Sequence, residues 1–191
     1  MYAAAPAAAP RTLVVLGDSL SSAYGMDVSQ GWVRLLAKRL QREGYDWHVV
    51  NASVSGETTG GGLTRLQSLL ATQNPDLVII ALGGNDGLRG LPVAQIQANL
   101  TAMVDAARAA RVNVLLAGLR MPPNYGPAYA RRFEETFREV ARQRGVPLVP
   151  YLLRGVDDNA ALMQDDRIHA APAAQPAMLD NVWPVLLPLL R

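Results

Sequence analysis

The fold of this chain is decided by residues 76–86, which read DLVIIALGGND. Six consecutive apolar residues occupy positions 77–82, and two glycines follow them. A short apolar run without polar alternation is typical of a strand that is buried on both faces, as in a parallel sheet covered by helices. Residues 76–82 are therefore predicted to form a buried strand.

Similar apolar runs lie on both sides of this strand and alternate with helical patterns. The predicted strands are 12–16, 47–51, 76–82, 112–119 and 146–151. Helices are predicted over residues 31–42, 63–70, 93–108, 129–142 and 173–190. The second of these lies only approximately at 63–70 and ends at Asn74-Pro75, and the last is interrupted by Pro176, Pro184 and Pro188. This order predicts a doubly wound, three-layer α/β/α sandwich with a five-stranded parallel sheet and right-handed crossovers.

The 191 residues fit one domain, which we expect to cover residues 11–191. Residues 1–10 are almost all Ala and Pro, and we interpret them as a disordered N-terminal remnant outside the fold. They match either the small-residue end of a processed leader or a flexible tail.

The composition excludes several classes of function. The 18 basic and 16 acidic side chains leave a net charge of +2, which argues against a nucleic-acid or membrane-surface partner. The absence of cysteine excludes a thiolate nucleophile, and two histidines, His48 and His169, are too few for a multi-histidine metal centre. No run of about 18 apolar residues occurs, so we expect no transmembrane segment, and we expect no metal or cofactor.

The site is expected at one edge of the sheet, because ligands of open parallel sheets bind at the carboxyl ends of the strands. Those ends carry residues 17–19, 51–56, 83–86 and 120–122, where polar side chains and glycines cluster. Ser19 follows the first strand at a turn, where its backbone N–H can face a developing oxyanion. The alternative is that Ser19 only caps the next segment.

A serine hydroxyl needs a neighbouring base to become a nucleophile. His48 lies within a predicted strand and is interpreted as a packed or hydrogen-bonded structural residue. His169 lies in a polar stretch after the last strand, which is the usual location of a catalytic base. Asp166 precedes it by three residues and can reach the imidazole to fix its tautomer. Asp165 is a competing candidate, and an incidental surface ion pair is the alternative for both.

Two further groups are candidate oxyanion donors. Asn85 directly follows the buried strand and carries a side-chain amide, and Gly56 offers a backbone N–H from the loop after the second strand. Both loops are also compatible with ordinary turns, in which Gly and Asn supply positive φ angles.

Four spaced blocks resemble the signature blocks of the GDSL/SGNH hydrolases. They are residues 14–21 (VVLGDSLS), 50–58 (VNASVSGET), 82–90 (LGGNDGLRG) and 166–169 (DRIH). The strings PPNYG at 122–126 and MQDD at 163–166 are most similar to the secreted bacterial acyl-CoA thioesterases, lysophospholipases and arylesterases of this family. The resemblance covers nearly the whole chain from Leu13 onward.

The resemblance implies a flavodoxin-like SGNH hydrolase fold and a periplasmic or secreted enzyme. It also implies that Ser19 is the nucleophile, that Asp166, rather than Asp165, and His169 complete the triad, and that Ser19, Gly56 and Asn85 form the oxyanion hole. Two positions depart from the pattern, since this subgroup usually has Gly where Arg167 stands and Pro where Ala170 stands. Arg167 either narrows the mouth of the site or brings a positive charge toward an anionic substrate.

The acyl group of the substrate is expected to contact apolar side chains that follow the Asn85 loop and the fourth strand. These candidates are Leu88, Leu91, Pro92, Met121, Pro122 and Tyr125. Many aliphatic residues line the core of any α/β domain, so each of them is equally compatible with a purely structural role.

We therefore predict a monomeric serine hydrolase that cleaves carboxylic esters and acyl thioesters, including aryl esters, acyl-CoA and lysophospholipids, through an acyl-enzyme on Ser19. The alternatives are a carbohydrate O-acetylesterase or an acyltransferase of the same superfamily. A non-catalytic module that binds a small ligand is disfavoured, because the sequence lacks the glycine-rich phosphate-binding motifs.

Overall fold

The computed structural model describes residues 10–191, so the predicted N-terminal remnant lies outside the described residues except for Pro10. Five strands form one parallel sheet in the order β2-β1-β3-β4-β5. The strands are β1 Arg11–Gly17, β2 Trp47–Asn51, β3 Leu77–Ala81, β4 Asn113–Ala117 and β5 Leu148–Val149.

Helices cover both faces of this sheet. They are α1 Trp32–Arg42, α2 Thr59–Gln73, α3 Gly84–Leu88, α4 Val93–Ala109, α5 Pro127–Arg144 and α6 Gln175–Leu186. Helix α1 packs against α6, whereas α4 packs between α2 and α5 on the other face. The predicted three-layer α/β/α sandwich is confirmed. Within residues 10–191, no helix combines the length and the apolar composition that a membrane crossing requires.

Burial separates the central strands from the edge strands. All five residues of β3 and the last five of β1 are buried, which explains their uninterrupted apolar sequences. Strand β2 lies at an edge and is only partly covered. The other edge strand, β5, has two residues instead of the predicted six, because Pro147 and Pro150 flank it and have no N–H to donate to the ladder.

The register of the sheet aligns the loops that carry the site. Gly17 at the end of β1 pairs with Ala81 at the end of β3, so the loops after these strands start side by side. A Cβ atom on Gly17 would lie 2.8 Å from the Cβ of Ser21 and 2.9 Å from the Oγ of Ser53. Glycine at this position therefore lets the loops after β1 and β2 approach each other closely.

Two helices differ from the prediction. Helix α2 begins at Thr59, earlier than expected, because the Thr58 side chain caps it by accepting from the N–H of Gly61. The glycines of its first turn allow close packing, since a Cβ on Gly62 would lie 2.2 Å from a methyl of Leu82. Residues 84–88, for which no helix was predicted, form the short helix α3.

Candidate active site

Ser19 lies at a tight turn directly after β1. The carbonyl oxygen of Asp18 accepts hydrogen bonds from the N–H groups of Ser21 at 3.0 Å and Ser22 at 2.9 Å, so the chain reverses around Ser19. The backbone N–H of Ser19 has no protein acceptor within residues 10–191. The turn thus leaves both the hydroxyl and the N–H of Ser19 available at the edge of the sheet.

His169 lies on a short loop that is closed by an antiparallel bridge between Met163 and Ala170. Within this loop, one carboxylate oxygen of Asp166 accepts from the backbone N–H of Ile168 at 2.9 Å and of His169 at 3.0 Å. The carboxylate therefore fixes the backbone of the loop as well as the imidazole that the loop carries.

The structure brings three of the predicted side chains into one hydrogen-bonded chain. The imidazole Nε2 of His169 lies 2.8 Å from the Oγ of Ser19, and its Nδ1 lies 2.6 Å from Oδ2 of Asp166. With Nδ1–H donating to the carboxylate, Nε2 is free to accept the Ser19 proton. Asp165 makes no side-chain hydrogen bond in the part of the chain that the structure describes.

The electrostatics of Asp166 suit this arrangement. Burial raises the pKa of Asp166, but the hydrogen bonds from the His169 ring and from two backbone N–H groups outweigh burial and hold this pKa at about 2. Asp166 is therefore a carboxylate at neutral pH and faces the imidazole with a full negative charge.

Gly56 occupies a turn that requires glycine. The N–H of Glu57 donates to the carbonyl of Val54 at 3.1 Å, and Gly56 at the third position of this turn has φ +80°. A Cβ atom at this position would meet no other atom within 4 Å. Glycine is therefore favoured by the positive φ angle and not by a lack of space. No acceptor for the Gly56 N–H is found among the described residues.

Asn85 lies in the first turn of α3, beside the turn of Gly56. Its Nδ2 donates to the carbonyl of Glu57 at 2.9 Å and lies 3.3 Å from Oδ2 of Asp18. The neighbouring Asp86 is buried and accepts from the backbone N–H of Thr59 at 2.8 Å, which ties α3 to the start of α2.

Two arginines donate hydrogen bonds to residues in and next to the turn of Gly56. Arg65 donates to Glu57 at 2.9 Å and to the carbonyl of Ala52 at 2.7 Å. Arg89 donates to the carbonyl of Gly56 at 3.2 Å. The carbonyl of Gly56 is therefore held by Arg89, while the N–H of Gly56 has no acceptor among the described residues.

Asp18 is a buried carboxyl group that the sequence reasoning did not single out. Its side chain accepts from the N–H of Leu20 at 3.0 Å and is only 2% exposed. Burial raises the pKa of Asp18 to about 6, although the hydrogen bond from Leu20 and the charge of His169 act in the opposite direction. Its position directly before Ser19, at the end of a buried strand, was the signal available in the sequence.

A cavity of about 470 Å³ opens beside Ser19 and His169, a size typical of small-molecule sites. Its apolar wall is formed by Leu20, Leu88, Leu119, Met121, Pro122, Leu153, Met163 and Ile168. Its polar lining includes four residues of the site, Asp18, Ser19, Asn85 and His169, together with Arg120, Tyr151, Asp157 and Arg167. The cavity therefore places an apolar wall beside the hydroxyl of Ser19.

Three of the six predicted acyl contacts lie in this wall, namely Leu88, Met121 and Pro122. The other three, Leu91, Pro92 and Tyr125, do not line this cavity. The chain turns away after α3 at Gly90, whose φ is +65°. Leu91 and Pro92 consequently line a separate hollow, and Tyr125 uses its hydroxyl to bond the carbonyl of Leu88 at 3.2 Å.

A polar cluster in the cavity was also missed. The guanidinium of Arg120 lies 4.5 Å from the centre of the Tyr151 ring, and the Tyr151 hydroxyl donates to Asp157. Burial and this hydrogen bond raise the pKa of Tyr151. Arg120 is distant in sequence from Tyr151 and Asp157, so no local pattern could have grouped the three residues.

The two departures from the family pattern have different surroundings. Arg167 is exposed, lines the cavity and has φ +55°, a left-handed conformation in which glycine is favoured. Ala170 is buried. His48 lies in β2 as predicted, but its side chain is exposed rather than packed, because β2 is a partly covered edge strand.

Among residues 10–191, no group of three or more carboxylate or imidazole side chains is arranged to hold a metal ion. The geometry around Ser19 is that of nucleophilic acyl transfer: a hydroxyl, an imidazole with its carboxylate, and N–H donors beside an apolar cavity.

Several known proteins are similar to this chain in sequence and in structure. The chain is 57% identical to esterase TesA of Pseudomonas aeruginosa over 183 residues, which cover 96% of this chain and 91% of that protein. It is 41% identical to thioesterase 1/protease 1/lysophospholipase L1 of Escherichia coli over 185 residues, covering 97% of this chain and 88% of that protein. Its structure matches the psychrotrophic esterase EstA from Pseudoalteromonas sp., inhibited by monoethylphosphonate, with a TM-score of 0.90, 40% identity, and coverage of 94% and 98%.

A family model matches most of the chain. Residues 15–175 fit the GDSL-like lipase/acylhydrolase family, and this range includes Ser19, Gly56, Asn85, Asp166 and His169. The chain therefore belongs to the GDSL-like lipase/acylhydrolase family and is a hydrolase of acyl esters.

Proposed function

We propose that the chain cleaves carboxylic esters and acyl thioesters through an acyl-enzyme on Ser19. The observation that carries this proposal is the continuous hydrogen-bonded chain from Asp166 through His169 to Ser19, with distances of 2.6 and 2.8 Å. These distances lie within the reach required for proton transfer from a nucleophile to its base.

In the first step, the Oγ of Ser19 attacks the substrate carbonyl while Nε2 of His169 takes the hydroxyl proton. The Asp166 carboxylate holds the imidazole in the tautomer that leaves Nε2 unprotonated, and it stabilises the imidazolium that forms. The same imidazolium then gives its proton to the departing alcohol or thiol.

The developing oxyanion is received by the backbone N–H groups of Ser19 and Gly56 and by the side-chain amide of Asn85. The free N–H groups support this role. The Asn85 amide remains anchored to the carbonyl of Glu57 at 2.9 Å, and its longer 3.3 Å contact to Asp18 gives way to the oxyanion. One such donor typically stabilises the transition state by about 2.7–4 kcal/mol.

In the second step, His169 removes a proton from water as the water oxygen attacks the acyl carbon of the acyl-enzyme. The bond from that carbon to the Ser19 Oγ then breaks, the imidazolium returns its proton to Oγ, and the carboxylic acid is released. The cycle uses only protein groups and water, so no metal or organic cofactor takes part in it.

The cavity supports substrates with an extended apolar acyl or aryl group. The wall of this cavity of about 470 Å³ is largely apolar, which favours this class over acetylated carbohydrates, whose sugar ring is polar. The named activities of the two relatives, esterase and thioesterase/lysophospholipase, support both oxygen and sulfur leaving groups.

We further propose one monomeric hydrolase domain over residues 11–191, without a nucleic-acid partner, acting in the periplasm or after secretion. The family match to residues 15–175 supports a single domain. The near-balanced charge supports the absence of a nucleic-acid partner. The location rests on the resemblance to exported bacterial members of the family, and cell fractionation of the native host tests it.

The nucleophile is tested by covalent labelling with a fluorophosphonate. The wild-type chain is expected to label at one site, and Ser19→Ala to lose the label completely. Ser22→Ala is the matched control, since Ser22 lies three residues away and bonds Ser55 at 2.9 Å instead. Labelling of Ser19→Ala at the wild-type rate would refute the assignment. Initial rates on matched ester and thioester series from acetyl to palmitoyl then define the substrate class.

A further inference from the structure

The distance between Ser19 and His169 must be set by contacts between two loops, because the residues are 150 positions apart. Ser19 lies on the loop that follows β1, whereas His169 lies on the loop closed by the bridge between Met163 and Ala170. The Asp166 carboxylate organises only the second loop. Some other contact must hold the two loops at the separation that proton transfer requires.

Gln164 makes that contact. Its side-chain Nε2 donates to the carbonyl of Tyr24, on the Ser19 loop, at 2.8 Å and to the carbonyl of Ala170, on the His169 loop, at 3.1 Å. Its backbone N–H donates to the carbonyl of His169 at 2.8 Å. One residue therefore bonds both loops and the main chain of the candidate base.

The Ser19 loop is shaped to receive this glutamine. A Cβ on Gly25 would lie 2.4 Å from Oε1 of Gln164, and Gly25 has φ +72°. The preceding Ala23 has φ +64°, which is unfavourable for a residue with a Cβ and persists only where surrounding contacts enforce it. The backbone at 23–25 thus brings the carbonyl of Tyr24 to the glutamine.

Tyr24 also reaches the imidazole directly. Its ring centroid lies 4.4 Å from that of His169 with an interplanar angle of 37°, and its backbone N–H donates to the carbonyl of Ser19 at 3.3 Å. Tyr24 is half exposed, so this ring shields one face of the imidazole from solvent rather than filling the core. An aromatic face also attracts a cation, and the imidazole becomes cationic only as the reaction proceeds.

We propose that Gln164 and Tyr24 are positioning residues that hold the His169 imidazole against the Ser19 hydroxyl, Gln164 by tying the two loops together and Tyr24 by covering the imidazole. This inference rests on the proposed function of Ser19 and His169. Both contacts act on the reacting geometry and not on the substrate, so their loss lowers kcat and leaves KM nearly unchanged.

The glutamine is tested with Gln164→Met, which keeps the length of the side chain and removes its donors. Gln97→Met is the matched control, because Gln97 donates to Glu139 at 3.0 Å and does not line the cavity beside Ser19. We expect kcat of Gln164→Met to fall about 10- to 100-fold, the size typical of a misplaced catalytic group, with KM changed less than about twofold. The rate of fluorophosphonate labelling at Ser19 is expected to fall in parallel.

The aromatic ring is tested with the pair Tyr24→Leu and Tyr24→Phe. We expect kcat of Tyr24→Leu to fall about 3- to 10-fold, whereas Tyr24→Phe retains kcat within about twofold because it keeps the ring. The exposed position of Tyr24 makes both variants compatible with folding, so this pair remains informative even if Gln164→Met unfolds.

The proposal is overturned if Tyr24→Leu and every folded Gln164→Met preparation keep kcat within twofold of Gln97→Met, or if only KM changes. A loss of kcat in one variant alone removes the other residue from the proposal. Failure of the proposed function gives a different result, since labelling would then persist in Ser19→Ala.

Discussion

Two aspartates, Asp18 and Asp166, each lie close to a member of the candidate triad, and their surroundings are opposite. Asp18 directly precedes Ser19 at the end of a core strand, where burial raises its pKa to about 6. Asp166 lies on an exposed loop, where hydrogen bonds from the imidazole and the backbone overcome burial and hold its pKa at about 2. The candidate nucleophile is thus positioned by the sheet, whereas the candidate base is positioned by polar contacts within and between loops.

This contrast predicts where the charge of an aspartate is needed. The negative charge of Asp166 faces the imidazole and stabilises it in the proposed reaction. The negative charge of Asp18 would be buried in the core, where it destabilises the folded state. Substitutions that remove each charge separate these two effects.

The largest effect is expected for Asp166→Asn. The amide cannot hold His169 in the tautomer that accepts the Ser19 proton, so kcat is expected to fall on the order of 10⁴-fold. Asp165→Asn is the control and is expected to keep full activity, because Asp165 makes no side-chain hydrogen bond within the described residues. Steady-state kinetics on one ester distinguish the two, and a greater loss in Asp165→Asn would reverse the assignment.

A smaller loss is expected for Asn85→Ala, which removes one oxyanion donor from the region built on the sheet. We expect kcat to fall about 10²- to 10³-fold with little change in KM. Gln97→Met again serves as a distant amide control. An equal loss of kcat in both variants would show that Asn85 has no special role.

The third prediction concerns stability and pH at Asp18. Its pKa is raised from 3.8 to about 6 in the folded state, so the folded state binds the proton more tightly than the unfolded chain. The contribution of Asp18 to the free energy of unfolding is therefore expected to fall by at most about 3 kcal/mol as the pH rises from about 4 to about 6. Above about pH 6 this contribution is expected to stay constant.

Chemical denaturation of the wild type and of Asp18→Asn across this pH range measures the effect. The free energy of unfolding is expected to fall more steeply with rising pH in the wild type than in the variant, because the variant has no carboxyl group at this position. Identical slopes in both proteins would show that Asp18 titrates normally. The prediction for Asp166 has the opposite sign, since its lowered pKa makes stability fall as pH drops below about 4.

The same contrast explains how much of the molecule was predictable from sequence. The central strands were found because burial on both faces leaves an uninterrupted apolar run, as in Leu77–Ala81. The contact of an aspartate with His169 is local, so the sequence offered both Asp165 and Asp166, and the resemblance to the family selected Asp166. Strand β5 was predicted too long because its two flanking prolines were not weighed.

Features that depend on long-range geometry were not predictable. The turn at Gly90 sends Leu91 and Pro92 away from the cavity, and nothing in the local sequence indicates that direction. The bond from Gln164 to the carbonyl of Tyr24 joins residues 140 positions apart. Such contacts exist only once the sheet has brought the two loops together.

The two-residue strand β5 has a consequence for how copies of this chain behave in concentrated solution. An exposed sheet edge with unpaired N–H and C=O groups is a template for a neighbouring chain. Here that edge is short, and Pro147 and Pro150 flank its two residues, so an approaching strand finds few donors to pair with. The prolines that shorten β5 thereby disfavour edge-to-edge pairing of this strand with another copy of the chain.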